Sequence, residues 1–232
     1  MPGENILVVE DDSDILELIR YNLLKERYRV ETAMSGENAL QSAATNVFDL
    51  CLLDIMLPGL DGLEVCRLMK KDPRIAQIPI VMITAKGEEA DIVTGLEMGA
   101  EDYIIKPFSP KVLVARVRTI FRRKATTEVT AGRPLNVYEM SIHPGRREVL
   151  IKGKTVDLTF TEFQLLYHLA SKPGWVFTRY QIVNAINGED YAVTDRAIDV
   201  QIVNLRKKLG GYGKFIETVR GIGYRFADKE IE

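Results

Sequence analysis

Residues 6–12 read Ile-Leu-Val-Val-Glu-Asp-Asp, a short apolar run that ends abruptly in three carboxylates. Four consecutive apolar residues are too few for a buried helix and fit a strand covered on both faces, so the acids mark where the chain leaves the core. The same grammar recurs at 28–33, 49–53, 80–84 and 102–105. Between and after these runs lie amphipathic stretches at 14–25, 36–44, 62–71, 88–98 and 110–123, with Ser13, Asp61 and Ser109-Pro110 as helix-start signals. Five strand–helix pairs in succession predict a doubly wound parallel sheet with helices on both faces.

The stretch 122–134, RRKATTEVTAGRP, has almost no apolar periodicity and reads as a linker. Beyond it the pattern changes to strand-like segments at 136–141 and 148–151, helical periods at 161–171, 178–186 and 194–209, and a hairpin at 215–226 that turns at Arg220-Gly221-Ile222-Gly223. The domains are therefore expected at 1–124 and 135–232, joined by 125–134.

The 232 residues are 46% hydrophobic and 28% charged, a globular balance, and no stretch of about 20 apolar residues or signal-peptide pattern is present. A cytoplasmic protein that does not engage membranes is expected. Cys51 and Cys66, without metal or redox spacing, are expected to be reduced core thiols. The net charge of −2 divides into −4 over 1–124 and +2 over 125–232, which permits an acidic site in front and a nucleic-acid face behind but establishes neither.

In an open parallel sheet, ligands bind beyond the carboxyl ends of the strands. Glu10 and Asp11 end the first strand, Asp54 the third and Thr84 the fourth, and Lys106 follows the fifth, so these groups converge on one edge. Crowded carboxylates repel unless a cation lies among them, and a hard, oxygen-seeking ion such as Mg2+ satisfies that need. Lys106 and Thr84 add a second positive charge and a hydroxyl, which suits an anion with several oxygens. A single acid at a strand end is usually a cap or turn residue, as expected for Asp12 and Ser13; the convergence of five positions carries the reading.

Taken together, VVEDD at 8–12, LLDIMLPGLDG at 52–62, ITA at 83–85 and DYIIKPF at 102–108 closely resemble the receiver domain of response regulators, over essentially all of 4–124. The resemblance implies a flavodoxin-like five-stranded fold. It implies that Asp54 is the phosphoacceptor, attacking the phosphohistidine of a sensor histidine kinase, with Mg2+ held by Glu10, Asp11, Asp54 and the Met56 backbone carbonyl. Lys106 would pair with the phosphoryl group, Thr84 and Tyr103 would form the switch pair, and the Lys106–Pro107 bond would be cis. It also implies a homodimer formed on phosphorylation through the last strand and its flanking helices, where Glu101, Asp102, Arg116, Arg118 and Arg122 stand. Ile92 and Val112 replace charged residues of close relatives, so part of that contact is expected to be apolar.

On a helical wheel, Ile198, Ile202, Leu205 and Leu209 fall within about 60° of one another and form a buried stripe. Arg196, Val200, Val203 and Lys207 lie opposite, flanked by Asn204. Valines between cations suit a major groove, where aliphatic groups meet thymine methyls, cations meet phosphates and an amide reads adenine. DLTFTEFQLLYHL, TDRAIDVQIVNLRKKL and IETVRGIGYRF resemble the α+β winged-helix effector of the OmpR/PhoB class over 135–227. By that resemblance 194–209 is the recognition helix, Arg220 is the wing residue in the minor groove, and Arg196, Thr218 and Arg206 contact phosphates. Double-stranded promoter DNA and RNA polymerase are the implied partners. Polymerase contact is put in question because Asn187 stands where a relative carries a tryptophan; Trp175 looks structural. Val203 and Asn204 replace two arginines of that relative, so its DNA site does not transfer.

The function expected is a phosphorylation-switched transcription regulator, not an enzyme beyond phosphoryl turnover at Asp54. Two alternatives stand beside it. A constitutive DNA-binding regulator would have no need of the intact acid set with Thr84 and Lys106. An aspartate-nucleophile phosphatase would need a second acid where this chain has Met56.

Overall fold

Strand β1, Asn5–Val9, is fully buried from Ile6 onward because it is the second strand of a five-stranded parallel sheet with a neighbour on each side. In the computed structural model, residues 3–85, 94–129, 134–187 and 195–228 are described, the side chains of 122–129, 187, 195 and 196 excepted. The sheet order is β2-β1-β3-β4-β5, with β2 Arg29–Ala33, β3 Leu50–Asp54, β4 Ile80–Ala85 and β5 Asp102–Lys106. This is the flavodoxin-like arrangement, whose order reverses between β1 and β3 and opens a crevice at their carboxyl ends.

The covering helices are α1 Ser13–Lys25, α2 Gly36–Thr45, α3 Gly62–Lys71 and α4 Pro110–Val129. The cap of α1 is Asp12, whose carboxylate accepts from the amides of Asp14 and Ile15; Ser13 is already the first helical residue. Asp61 caps α3 as expected, accepting from the Glu64 amide at 2.8 Å. Most of the helix expected at 88–98 lies outside the described residues, which hold its last turn at 94–97. Cys51 and Cys66 are free and buried, and burial pushes both thiols up, Cys66 to about 11.

Contacts divide the chain into two compact units at 118/119. The segment read as a linker is helical as far as Val129, since α4 continues through Arg, Lys, Ala and Thr without meeting a helix breaker before Gly132 and Pro134. Weak apolar periodicity did not mark a loss of helix there.

The second unit begins with an antiparallel sheet, β6 Leu135–Val137, β7 Met140–His143, β8 Glu148–Ile151 and β9 Lys154–Val156. Three helices follow: α5 Phe160–Ala170, α6 Arg179–Asn187 and α7 Asp195–Leu209. A second sheet, ordered β10-β12-β11, joins Phe177–Thr178 to the terminal hairpin of β11 Ile216–Val219 and β12 Gly223–Phe226. Thr159 and Glu162 form a capping box at α5, and the buried Glu162 carboxylate also receives Lys208 of α7 at 2.6 Å. Tyr138 ties the antiparallel sheet of this unit to the hairpin region: its ring stacks on Phe215 at 4.1 Å, and its hydroxyl donates to the Ala227 carbonyl. An α+β winged-helix unit results.

Candidate functional site

At the carboxyl edge of the first sheet, Glu10, Asp11 and Asp54 each offer an oxygen, and these oxygens lie within 4.8 Å of one another. Glu10 and Asp54 are buried, while Asp11 is exposed. Lys106, at the end of β5, reaches across the edge and donates to Glu10 Oε1 at 2.9 Å and Asp54 Oδ2 at 3.0 Å. Thr84 is fully buried at the end of β4, and among the described residues its hydroxyl makes only a long contact, 3.4 Å, to the Ala85 carbonyl. Tyr103 is 4% exposed, tucked into the unit in this conformation. Met56 lies two residues past Asp54 with an exposed side chain, and Lys106–Pro107 is cis.

Electrostatics at this edge leave it short of positive charge. Burial pushes the Glu10 carboxyl up, the Lys106 hydrogen bond draws it down, and the Asp54 carboxylate raises it again, leaving it at about 7. Burial alone would pull the Lys106 ammonium down, but its bonds to Glu10 and Asp54 and their charges more than offset this and hold it above the ordinary range. Glu10 Oε2 sits 2.8 Å from Lys106 Nζ, yet without the alignment of a hydrogen bond, and is an orphaned buried acceptor. An oxygen without a donor, beside two more carboxylates and one cation, fits a hard divalent ion.

Gly62 is a site residue that the motif contained without displaying its reason. A Cβ there would overlap the Asp54 carbonyl oxygen, and the Gly62 amide donates to the Ile55 carbonyl at 2.9 Å. The start of α3 thus presses directly on the strand that carries Asp54.

The residues expected at a dimer face are only partly available. Asp102 and Arg116 are buried and pair with each other at 2.9 Å, Glu101 is 8% exposed, and Arg118 pairs with Glu26. The charges of Asp102, Arg116 and Arg118 are already partnered within one chain, so their pairing across a two-fold would require an exchange of partners. Val112 is exposed, whereas Ile92 and the Arg122 side chain lie outside the described residues.

In the second unit, α7 exposes Val203, at 47%, and Lys207, with Val200 partly buried; the Arg196 side chain lies outside the described residues. Two expectations are corrected here. Asn204 is only 6% exposed, because α7 packs against both α5 and α6 and its buried arc is wider than the apolar stripe. Arg206 is turned onto the hairpin: it donates to the Ile216 carbonyl at 3.0 Å from Nε and 2.6 Å from Nη2, and to Thr218 Oγ1 at 2.9 Å. It also lies 5.8 Å from the Tyr224 ring centroid. A linked set that the sequence did not reveal stands beside it, in which Asp199 accepts from Arg179 at 2.7 Å and from the Tyr224 hydroxyl at 2.7 Å. No spacing rule signals that set, because its members come from α6, α7 and β12.

Arg220 is exposed at the hairpin turn, beside Gly221 with φ of +75°. Gly223 does not share that conformation; it is required because a Cβ would collide with the Phe177 carbonyl of β10. Trp175, expected to be structural, is 60% exposed, with the Lys172 ammonium 5.9 Å from its ring. No described helix is long and apolar enough to cross a membrane.

Comparison with known proteins agrees with both halves. Residues 6–118 match the family described as response regulator receiver domain, and 153–226 match that described as transcriptional regulatory protein, C terminal. The chain is 41% identical to the phosphate regulon transcriptional regulatory protein PhoB of Pseudomonas aeruginosa, over 99% of this chain and 100% of that one. It is 39% identical to the alkaline phosphatase synthesis transcriptional regulatory protein PhoP of Bacillus subtilis, over 99% of each. A solved structure of the response regulator DrrB, a Thermotoga maritima OmpR/PhoB homolog, superimposes with a TM-score of 0.52 at 30% identity, covering 98% of this chain and all of that one. With the acid cluster and Lys106 at one sheet edge and a winged-helix unit behind, the chain belongs to the OmpR/PhoB subfamily of response regulators.

Proposed function

We propose that this chain is a transcription regulator switched by phosphorylation of Asp54, with a receiver at 1–124, a connecting segment at 125–134 and a DNA-binding effector at 135–232. The observation that carries the reading is the Lys106 ammonium bridging Glu10 and Asp54 within a cluster of three carboxylates. Receiver domains generally bind Mg2+ at an acidic site of this kind. Here Glu10, Asp11, Asp54 and the Met56 carbonyl would hold it, and when bound it supplies charge neutralisation for the incoming phosphoryl oxygens.

The chain's own groups do the rest. Asp54 Oδ attacks the phosphorus of a kinase phosphohistidine, and the imidazole leaves. Lys106 shifts from the carboxylates toward the new phosphoryl group and offsets its charge, a role in which positioning and electrostatics supply most of the acceleration. The Thr84 hydroxyl, with only a long internal contact, is available to a phosphoryl oxygen, and Tyr103 repacks as it moves. The repacked surface promotes a homodimer. In the effector, α7 enters the major groove with Val203 and Lys207 outward and the partly buried Val200 beside them, Arg196 and Thr218 on phosphates, and Arg220 in the minor groove. Thr218 accepts from Arg206, which leaves its own proton free to donate.

The test is a titration of promoter-length DNA with and without Mg2+ and acetyl phosphate, beside an Asp54→Ala control and a sizing column. Affinity and dimer content are expected to rise together in the unaltered chain only. Equal affinity in all conditions and in the variant would replace the switch with a constitutive regulator.

A further inference from the structure

The base-facing side of α7 is chemically narrower than its sequence suggests. Four side chain types hydrogen-bond base edges in the major groove in a well-defined way: amides to adenine, Arg or Lys to guanine, and carboxylates to cytosine. On α7 the two amides, Gln201 and Asn204, are 3% and 6% exposed. The carboxylate of Asp199 is occupied by Arg179 and Tyr224. Arg206 is held on the Ile216 carbonyl and Thr218, and Lys208 reaches Glu162.

What remains outward among the described side chains is Val203, 47% exposed, with Lys207 one turn further on. An exposed valine in the middle of the outward stripe gains nothing from water. The only apolar feature of a base pair in the major groove is the C5-methyl group of thymine. Lys207, on the same stripe, has the charge and reach to hold a phosphate beside it.

Resting on the reading of α7 as the recognition helix, we propose that Val203 is a specificity-determining residue that selects thymine by packing its isopropyl group against the C5-methyl. The middle of this helix thus reads sequence by apolar contact and not by hydrogen bonding. The half-site it prefers carries a thymine at one fixed position opposite Val203.

Replacing thymine by deoxyuridine tests this directly, because the hydrogen-bonding edge is kept and only the methyl is removed. The full chain, with Mg2+ and acetyl phosphate, is used to select duplexes from a randomised pool. Each thymine of the recovered site is then replaced singly by deoxyuridine, and affinity is measured for the unaltered chain and for Val203→Ala. At one thymine per half-site the unaltered chain is expected to lose roughly fourfold, the factor that one buried methyl contributes. Val203→Ala is expected to bind the thymine and deoxyuridine duplexes nearly equally at that position. Val203 is 47% exposed and outside the buried core, so the variant should fold normally, which its thermal transition checks. Tolerance of deoxyuridine at every position overturns the proposal, as does an equal loss in both proteins. A pool that yields no preferred sequence overturns the assignment of α7 itself, a separate and recognisable failure.

Discussion

Replacing Arg206 with Ala separates two roles that the sequence alone leaves superimposed. As a phosphate contact, Arg206 would matter mainly to DNA; as placed here, it joins the recognition helix to the wing hairpin through the Ile216 carbonyl and Thr218. A hydrogen bond from a charged group contributes about 1.5–3 kcal/mol. Both guanidinium nitrogens share one carbonyl and Thr218 is exposed, so a net loss of about 2 kcal/mol is expected for the second unit. For a unit of this size that lowers its thermal transition by roughly 10 °C. The assay has two parts: thermal unfolding of the full chain, following the second unit through near-ultraviolet signals, and DNA affinity measured across a salt series. Each phosphate contact contributes about one unit to the slope of log affinity against log salt. The clamp predicts a weaker complex at every salt concentration with the slope preserved, because the wing loses its fixed angle to α7. An unchanged melting temperature with a slope reduced by about one would refute the reasoning and return Arg206 to the DNA backbone.

Three further outcomes are expected. Lys106→Ala should slow phosphorylation of Asp54 by acetyl phosphate by about 100-fold or more, the scale of losing one preorganised charge, as measured by intact-protein mass over time. Because metal-free Glu10 titrates at about 7, Mg2+ must displace a proton below neutrality, and calorimetric affinity should weaken as pH falls from 8 to 6. The raised value also means that Glu10 favours the metal-free fold at low pH, and that this contribution is lost as pH rises through about 7. His168, on α5, is the opposite case: burial, and to a lesser degree Lys172, hold its imidazole below the usual range, and its buried Nε2 has no partner. Its neutral form stabilises the second unit above the ordinary histidine pKa, and that stability is lost as pH falls through the lowered folded value. Denaturant unfolding between pH 7.5 and 5 should show the decline, and His168→Gln should flatten it.

The receiver was legible because each of its signals is local. A strand buried on both faces must be apolar from end to end, so 6–9, 49–53 and 80–84 announced themselves, and the parallel topology put Glu10, Asp54, Thr84 and Lys106 at one edge without further information. Gly62 was less visible, since its reason is a collision with the Asp54 carbonyl that no spacing expresses. The wheel analysis of α7 identified Ile198, Ile202, Leu205 and Leu209 as buried, and all four are. It misjudged Asn204 because polarity was taken for exposure, whereas a helix gripped by two others buries a wider arc than its apolar residues fill. Arg206 was ambiguous for a related reason: a cation near DNA and a cation near a carbonyl have the same sequence. At the linker, loss of apolar periodicity was equated with loss of helix, yet α4 continues to Val129.

The stack of Tyr138 on Phe215, with its hydroxyl on the Ala227 carbonyl, bears on the order in which the chain can be made. The first unit contains all five strands of its sheet by Lys106 and can close while translation continues, as domains commonly do. The second cannot, because its opening turn is held by Phe215 and Ala227, 77 and 89 positions later. A transcript interrupted between 130 and 215 would therefore yield a complete receiver carrying an unfinished effector. If Asp54 is phosphorylated as proposed, such a fragment would draw phosphoryl groups from the same kinase as the intact protein and deliver none of them to a promoter, making premature stops in this interval interfering alleles instead of silent ones.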